Sequence, residues 1–166
     1  MTFLPYDKIV LKTKLTDKQI VSILKSITDT DTKFSFKKLF KSTNKTYFGS
    51  ISDNNFEIKR IIYYKNSFLP ISFGTIEKTL NGSTINIIMR MHMAVNIGIS
   101  IIFSLFLFFS IISITLIDKM SNSGITHFIP IIILFLIYAI VMFFYKLESI
   151  QAKKDLIMLF SADIEK

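Results

Sequence analysis

The residues able to do chemistry in this chain are few and far apart. Its two histidines, His92 and His127, stand on either side of a long uncharged stretch, and neither has Asp, Glu or Cys nearby at metal-ligand spacing. Cysteine is absent, which removes disulfides, thiolate metal sites and cysteine nucleophiles together. No glycine-rich phosphate loop occurs, and neither histidine has a nucleophile with which to build a Ser/His/Asp set. These features predict a protein that is not an enzyme, with no catalytic residue, no cofactor and no metal. Two local features remain as candidates for binding. Arg60 stands in an apolar run from Ile58 to Tyr64, where its guanidinium suits a lipid phosphate or a buried carboxylate such as Glu57 or Glu77; the alternative is a snorkelling edge residue. Asn66, Ser67, Phe68 and Pro70 form an N-S-F-x-P turn that reads either as a binding loop or as ordinary turn chemistry.

The elements that must position these residues are announced by hydropathy. From Ala94 to Ile117 there are 24 residues without Asp, Glu, Lys or Arg, and from Phe128 to Tyr145 there are 18 more. As helices they reach roughly 36 Å and 27 Å, against a hydrocarbon core of about 30 Å. A transmembrane hairpin is predicted, with helices over 94–117 and 128–145 joined by an external loop at 118–127. The opening MTFLPYDKIV has no cationic start before an apolar run, so the first span is expected to direct insertion itself. Residues 1–93 carry 15 Lys/Arg against 7 Asp/Glu and so hold the whole net charge of +8. Arg90 flanks the first span and Lys146, Lys153 and Lys154 follow the second, while the loop has only Lys119. The positive-inside rule then places both termini of this multi-pass protein in the cytoplasm and the loop outside. The pI near 9.6 does not imply nucleic acid, because the lysines are scattered rather than striped.

The soluble segment, 1–93, reads as a β-α-β-β-β-β cap. Ile9 to Leu15 alternate as a first strand, and Thr16 with Gln19 makes a capping box for a helix whose stripe is Ile20, Ile23, Leu24 and Ile27. Lys33, Phe36, Lys37, Lys38, Phe40 and Lys41 mix aromatics and lysines without a clear period. They read as a membrane-surface segment or as a half-buried connector. A meander follows: Tyr47 to Ile51, Asn55 to Tyr64, Phe68 to Lys78, an Asn81-Gly82 turn, and a last strand with Ile85, Ile87, Met89 and Met91 on one face. Only His92 and Met93 are expected between that strand and the first span, which holds the cap against the bilayer. The segment 146–166 is too polar to span; its Leu147, Ile150, Leu156, Ile157 and Phe160 predict an amphipathic helix docked on the sheet. Inside the first span Ala94 with Gly98, and Ser100 with Ser104, allow close helix packing, against the second span or against another copy.

The stretch from Tyr47 to Met93 resembles an uncharacterised bacterial family of small two-span membrane proteins. The pattern is F-x-G, F-x-I-x-R, an aromatic followed by N-S-F-x-P, G-x-I, and a G-T-x-I strand before the first span. It is carried here by Phe48, Phe56, Arg60, Tyr64, Asn66, Ser67, Phe68, Pro70, Gly74 and Ile76, with Ser83 inserted between Gly82 and Thr84. The resemblance implies the architecture and brings no activity with it. The function expected is a non-enzymatic α+β membrane protein whose juxtamembrane cap binds a lipid, an apolar ligand or a membrane-protein partner. The alternative is an oligomeric membrane effector or pore component with a soluble sensing cap.

Overall fold

The strongest periodicity in the chain lies at the centre of a seven-stranded sheet. The computed structural model describes residues 5–30, 45–62, 64, 66–117 and 129–164, except the side chains of 113–117 and 130. Its elements run β1 (Tyr6–Thr13), α1 (Asp17–Ile27), β2 (Thr28–Asp29), β3 (Tyr47–Ile51), β4 (Asn55–Arg60), β5 (Ile71–Thr79), β6 (Gly82–Arg90), α2 (Met93–Ile117), α3 (Ile129–Phe160) and β7 (Asp163–Ile164). The sheet order is β2-β3-β4-β5-β6-β1-β7. The described residues are therefore α+β, with three helices among them, two of these long and apolar enough to cross a membrane.

The β3–β6 meander is antiparallel throughout, and β1 closes on β6 with Tyr6 opposite Arg90 and Thr13 opposite Ser83. Alternation along each strand sends one set of side chains to a single core: Ile9 and Leu11, Phe56 and Ile58, Ile76, and Ile85, Ile87 and Met89. Onto this face pack Ile20, Val21 and Leu24 of α1 and Ala152, Leu156 and Phe160 of α3. The capping box forms as expected: the Thr16 hydroxyl accepts from the Gln19 N–H, and the Gln19 side chain accepts from the Thr16 N–H at 2.9 Å.

Several boundaries differ from the sequence reading. β4 stops at Arg60 instead of reaching Tyr64, and β5 starts at Ile71, directly after Pro70, whose missing N–H suits a strand start. The β5–β6 turn is Leu80-Asn81, because Thr79 pairs with Gly82. Gly82 has a positive φ, 141°, and a Cβ there would lie 2.1 Å from the Thr13 carbonyl oxygen of β1. Two short strands were not anticipated: β2, parallel to β3, and β7, antiparallel to β1. The residues that join β6 to α2 are Met91 and His92, and the His92 Nδ1 accepts from the Ala94 N–H at 3.2 Å, capping α2. The segment with Lys33, Phe36, Lys37, Lys38, Phe40 and Lys41, and the loop 118–127, lie outside the described residues.

Phe56 stands opposite Gly74 in the sheet, and its ring lies over the glycine, only 2.0 Å from where a Cβ would be. Phe56 is itself buried beside Phe160, with ring centroids 6.4 Å apart. Gly74→Ala is therefore expected to displace both rings and to destabilise the cap by about 1–3 kcal/mol. Thermal unfolding of the full chain in mild detergent checks this, and an unchanged midpoint would show that the core yields freely there.

Candidate functional site

The polar side chains of the cap converge where the C-terminal half of α3 crosses the sheet. Tyr145, Ser149, Ala152, Leu156 and Phe160 follow 4-3-4-4 spacing, which keeps them on one helix face, and all are buried. Lys146 and Lys153 flank this seam on one side, Glu148 and Asp155 on the other, each pair seven residues apart and hence two turns along the same line. Leu147 and Ile150, expected on the docking face, are instead about half exposed, at 51% and 49%. The real seam runs between two polar edges that a count of apolar residues alone does not reveal.

On the first edge, Asp7 of β1 is the acceptor for three α3 donors. Ser149 Oγ donates to Oδ2 at 2.6 Å, and Lys146 and Lys153 reach Oδ1 at 3.0 and 3.1 Å. Burial works against ionisation of this carboxyl, but the hydrogen bonds from Ser149, Lys146 and Lys153 outweigh it and hold its pKa below the ordinary 3.8. Beside it Tyr145 donates its hydroxyl proton to the Met89 carbonyl at 2.8 Å. Farther along, the Thr13 hydroxyl donates to the Phe160 carbonyl at 2.7 Å, which satisfies one of the open acceptors at the helix end. Ser161, with φ 44°, and Ala162 complete the stop by donating to Met158 and Ile157.

On the second edge, Arg60 meets Asp155 at 3.3 Å and Glu148 at 3.7 Å. Its partners are therefore the two acids of α3. Glu57 lies on the opposite side of β4, and Glu77 accepts from Asn86. Glu148 also accepts from Asn66 Nδ2 at 3.0 Å and from the Tyr64 hydroxyl. Hydrogen bonding to Glu148, with some burial, raises the Tyr64 pKa. Burial, reinforced by the Asp155 charge, pushes the Tyr47 phenol up to about 12.

The N-S-F-x-P turn belongs to this junction. The Asn66 side chain accepts from the Phe68 N–H at 2.9 Å, an Asx turn. That turn presents the Phe68 ring to Phe144 of α3, stacked at 6.4 Å, while Leu69 and Pro70 are buried and Ser67 is exposed. Arg60, Asn66 and Phe68 are thus brought together by α3, and Asn66 and Phe68 work as a clasp on it.

The α2–α3 contact is made by Val95 and Ile99 with Ile137 and Val141, and by Phe103 edge-on to Tyr138 at 6.2 Å. The small residues do not lie at its centre. Ala94, Ser100 and Ser104 are exposed, and a Cβ on Gly98 would meet nothing within 4 Å. Ser100 and Ser104 line an open groove of about 550 Å³ together with Met93, Asn96, Ile97, Ile101 and Leu105.

Among the described residues no three His, Asp or Glu side chains gather as a metal site. Ser149, the hydroxyl nearest to an acid and two lysines, is completely buried and out of reach of a substrate. What the junction does chemically is hold two elements together. The residues missed in the sequence, Asp7, Lys146, Glu148, Ser149, Lys153 and Asp155, had one legible signal, the seven-residue repeat of like charges on either side of the seam. No protein-family model, curated protein or solved structure matches the chain.

Because the folded Asp7 pKa is depressed, its stabilising effect is present above about pH 3.8 and is lost as pH falls through the lower folded value. Acidification below pH 4 is therefore expected to loosen α3 from the sheet in the wild type, and Asp7→Asn should abolish that step of the transition. Amide exchange of α3 against pH reads the difference. Arg60→Ala, which leaves two partly buried acids facing each other, should cost on the order of 2 kcal/mol in the same preparation, between the exposed and fully buried limits for an ion pair.

Proposed function

We propose that this chain is a non-enzymatic integral membrane protein of the bacterial inner membrane, with both termini in the cytoplasm. Its cap binds a lipid headgroup or a membrane-protein partner at the bilayer surface. The observation that carries the reading is the unbroken course of α3, 32 residues long, from an apolar half into a half clamped across the sheet. Whatever engages the cap is thereby linked to a helix of membrane-spanning length.

Support for insertion comes from exposure. The apolar windows of α2 and α3 have mean hydropathies of 2.4 and 2.2, yet only 6% and 17% of them is buried. A core helix of that composition would be covered. Here Ile101, Leu105, Phe108, Ile111, Phe135 and Ile140 stay open, a patch far larger than a water-soluble surface tolerates. Lys/Arg placement supports the orientation. Packing favours a surface ligand: Leu11, Ile20, Leu24, Ile85, Ile87 and Leu156 are completely buried between sheet and helices, which supports a ligand at the cap's surface over an apolar one inside it.

The absence of cysteine makes single-cysteine labelling clean. With an impermeant maleimide on intact spheroplasts, Ser123→Cys is expected to label at once, and Ser50→Cys, exposed on β3, only after permeabilisation. Equal labelling would refute the topology.

A second reading, an oligomeric membrane effector or pore component, is favoured by the open groove beside Gly98, Ser100 and Ser104. Disulfide crosslinking of Ser100→Cys in native membranes is expected to trap dimers if copies pack there, and exclusively monomeric protein would remove this reading.

A further inference from the structure

We propose that one corner of the sheet face opposite α1 and α3, built from Arg90, Lys59 and Lys8 with Tyr6 and Phe73, binds the phosphate of an anionic phospholipid in the bilayer that the protein's own helices enter. This inference rests on the membrane reading above and names the ligand of the cap's surface.

The corner follows from register. Tyr6 stands opposite Arg90, Arg90 opposite Ile71, and Ile71 opposite Lys59, so these four residues form a row across β1, β6, β5 and β4 on the face turned away from α1 and α3. The next row on the same face is Lys8, Ile88, Phe73 and Glu57. Strands lie about 4.8 Å apart, so Arg90 and Lys59, with β5 between them, are roughly 10 Å apart along the backbone. Their long side chains can share one phosphate.

Position selects the bilayer as the source of that phosphate. Only Met91 and His92 separate Arg90 from the first residue of α2. The three residue steps from Arg90 to Met93 reach at most about 10 Å, and the headgroup layer on each side of the hydrocarbon is about 5–7 Å deep. The Arg90 row therefore lies within or at the outer edge of the headgroup layer, with the apolar and aromatic edges of Phe73 and Tyr6 beside it.

The cations of the two sheet faces are treated differently. On the covered face Arg60, Lys146 and Lys153 all meet carboxylates. On the open face Arg90, Lys59 and Lys8 have no carboxylate partner among the described residues. The Arg90 guanidinium carbon instead lies over the Phe73 ring, 4.3 Å from its centre; contact with an aromatic face does not use up a guanidinium's N–H donors. Lys59 is half-buried, and that burial lowers its pKa. An anion beside it would favour the charged form. Arg suits phosphate because its donors form a planar fork.

The test uses the full chain in mild detergent and native mass spectrometry with phosphatidylglycerol or phosphatidylcholine. Preferential retention of phosphatidylglycerol is expected. Each cation near an anionic membrane surface is worth about fivefold in binding. The double variant Arg90→Gln/Lys59→Gln should therefore lose that lipid by about 25-fold, with little change for phosphatidylcholine. Lys8→Gln, at an exposed position that does not threaten folding, should lose about fivefold. A charge-matched control, Lys18→Gln/Lys25→Gln on α1, should bind as the wild type does. Equal binding by the double variant and the control would overturn the proposal. So would displacement of the lipid by millimolar inorganic phosphate, which would identify the ligand as a free anion; resistance to it supports the lipid. Failure of the membrane reading shows separately, as release of the chain from reconstituted vesicles at alkaline pH. A chain that stays in vesicles but has no preference for phosphatidylglycerol overturns the lipid site alone.

Discussion

The carboxylate of Asp7, accepting from Ser149, Lys146 and Lys153, is the constraint on which the rest of the structure depends. A sheet this wide has more apolar surface than α1, at 11 residues, can cover. The missing cover comes from the far end of the chain, and something must fix which face of α3 turns inward. Asp7 does so from one edge and Arg60 from the other, so the helix can neither roll nor slide without separating a partly buried charge from its partner. Between these edges the seam of Tyr145, Ala152, Leu156 and Phe160 supplies the burial. The polar pairs contribute register more than bulk stability, and removing one partner is far more damaging than the pair is stabilising.

With α3 on one side, the sheet has two unlike faces. The covered face satisfies its charges internally, and the turn from Asn66 to Pro70 is drawn into the same junction by Glu148 and Phe144. The open face keeps its basic residues near the end where α2 departs. On the reading proposed above, function at the membrane surface would belong to the face opposite α1 and α3. This shifts attention from Arg60, whose guanidinium is committed to two acids, to Arg90, whose guanidinium lies over the Phe73 ring.

Much of the fold was legible because it is local. The alternation from Ile85 to Met91, the Thr16–Gln19 capping box, the meander and the two uncharged stretches each declare themselves within a short window. The junction was not legible, because its partners are distant in sequence: Asp7 with Lys146 and Ser149, Thr13 with Phe160, Arg60 with Asp155. Periodicity shows that the last segment has an apolar side, but not where that side is centred, so Leu147 and Ile150 were placed inward when charges at positions 146, 148, 153 and 155 decide otherwise. The turn was misplaced by one residue for a similar reason. Asn-Gly is a strong local signal, yet here the glycine is required beside β1, whose Thr13 carbonyl leaves no space for a side chain. The small residues of α2 allow close packing without saying which neighbour takes it, and bulkier residues on another face met α3 first.

The closing of Thr13 on Phe160 and of Leu11 on Ile164 has a consequence for biosynthesis. β1 is made before either long apolar helix, and it forms its outer edge with residues made after both. Until those residues appear, the sheet carries Leu11, Ile85, Ile87 and Met89 without the cover of Ala152, Leu156 and Phe160. Both long apolar helices must already have been translated by then. Completion of the cap is thus a late event that reports on everything before it: a chain truncated after its second long apolar stretch would still have its strands, but it would lack the seam, the clamp and the edge strand that finish the domain.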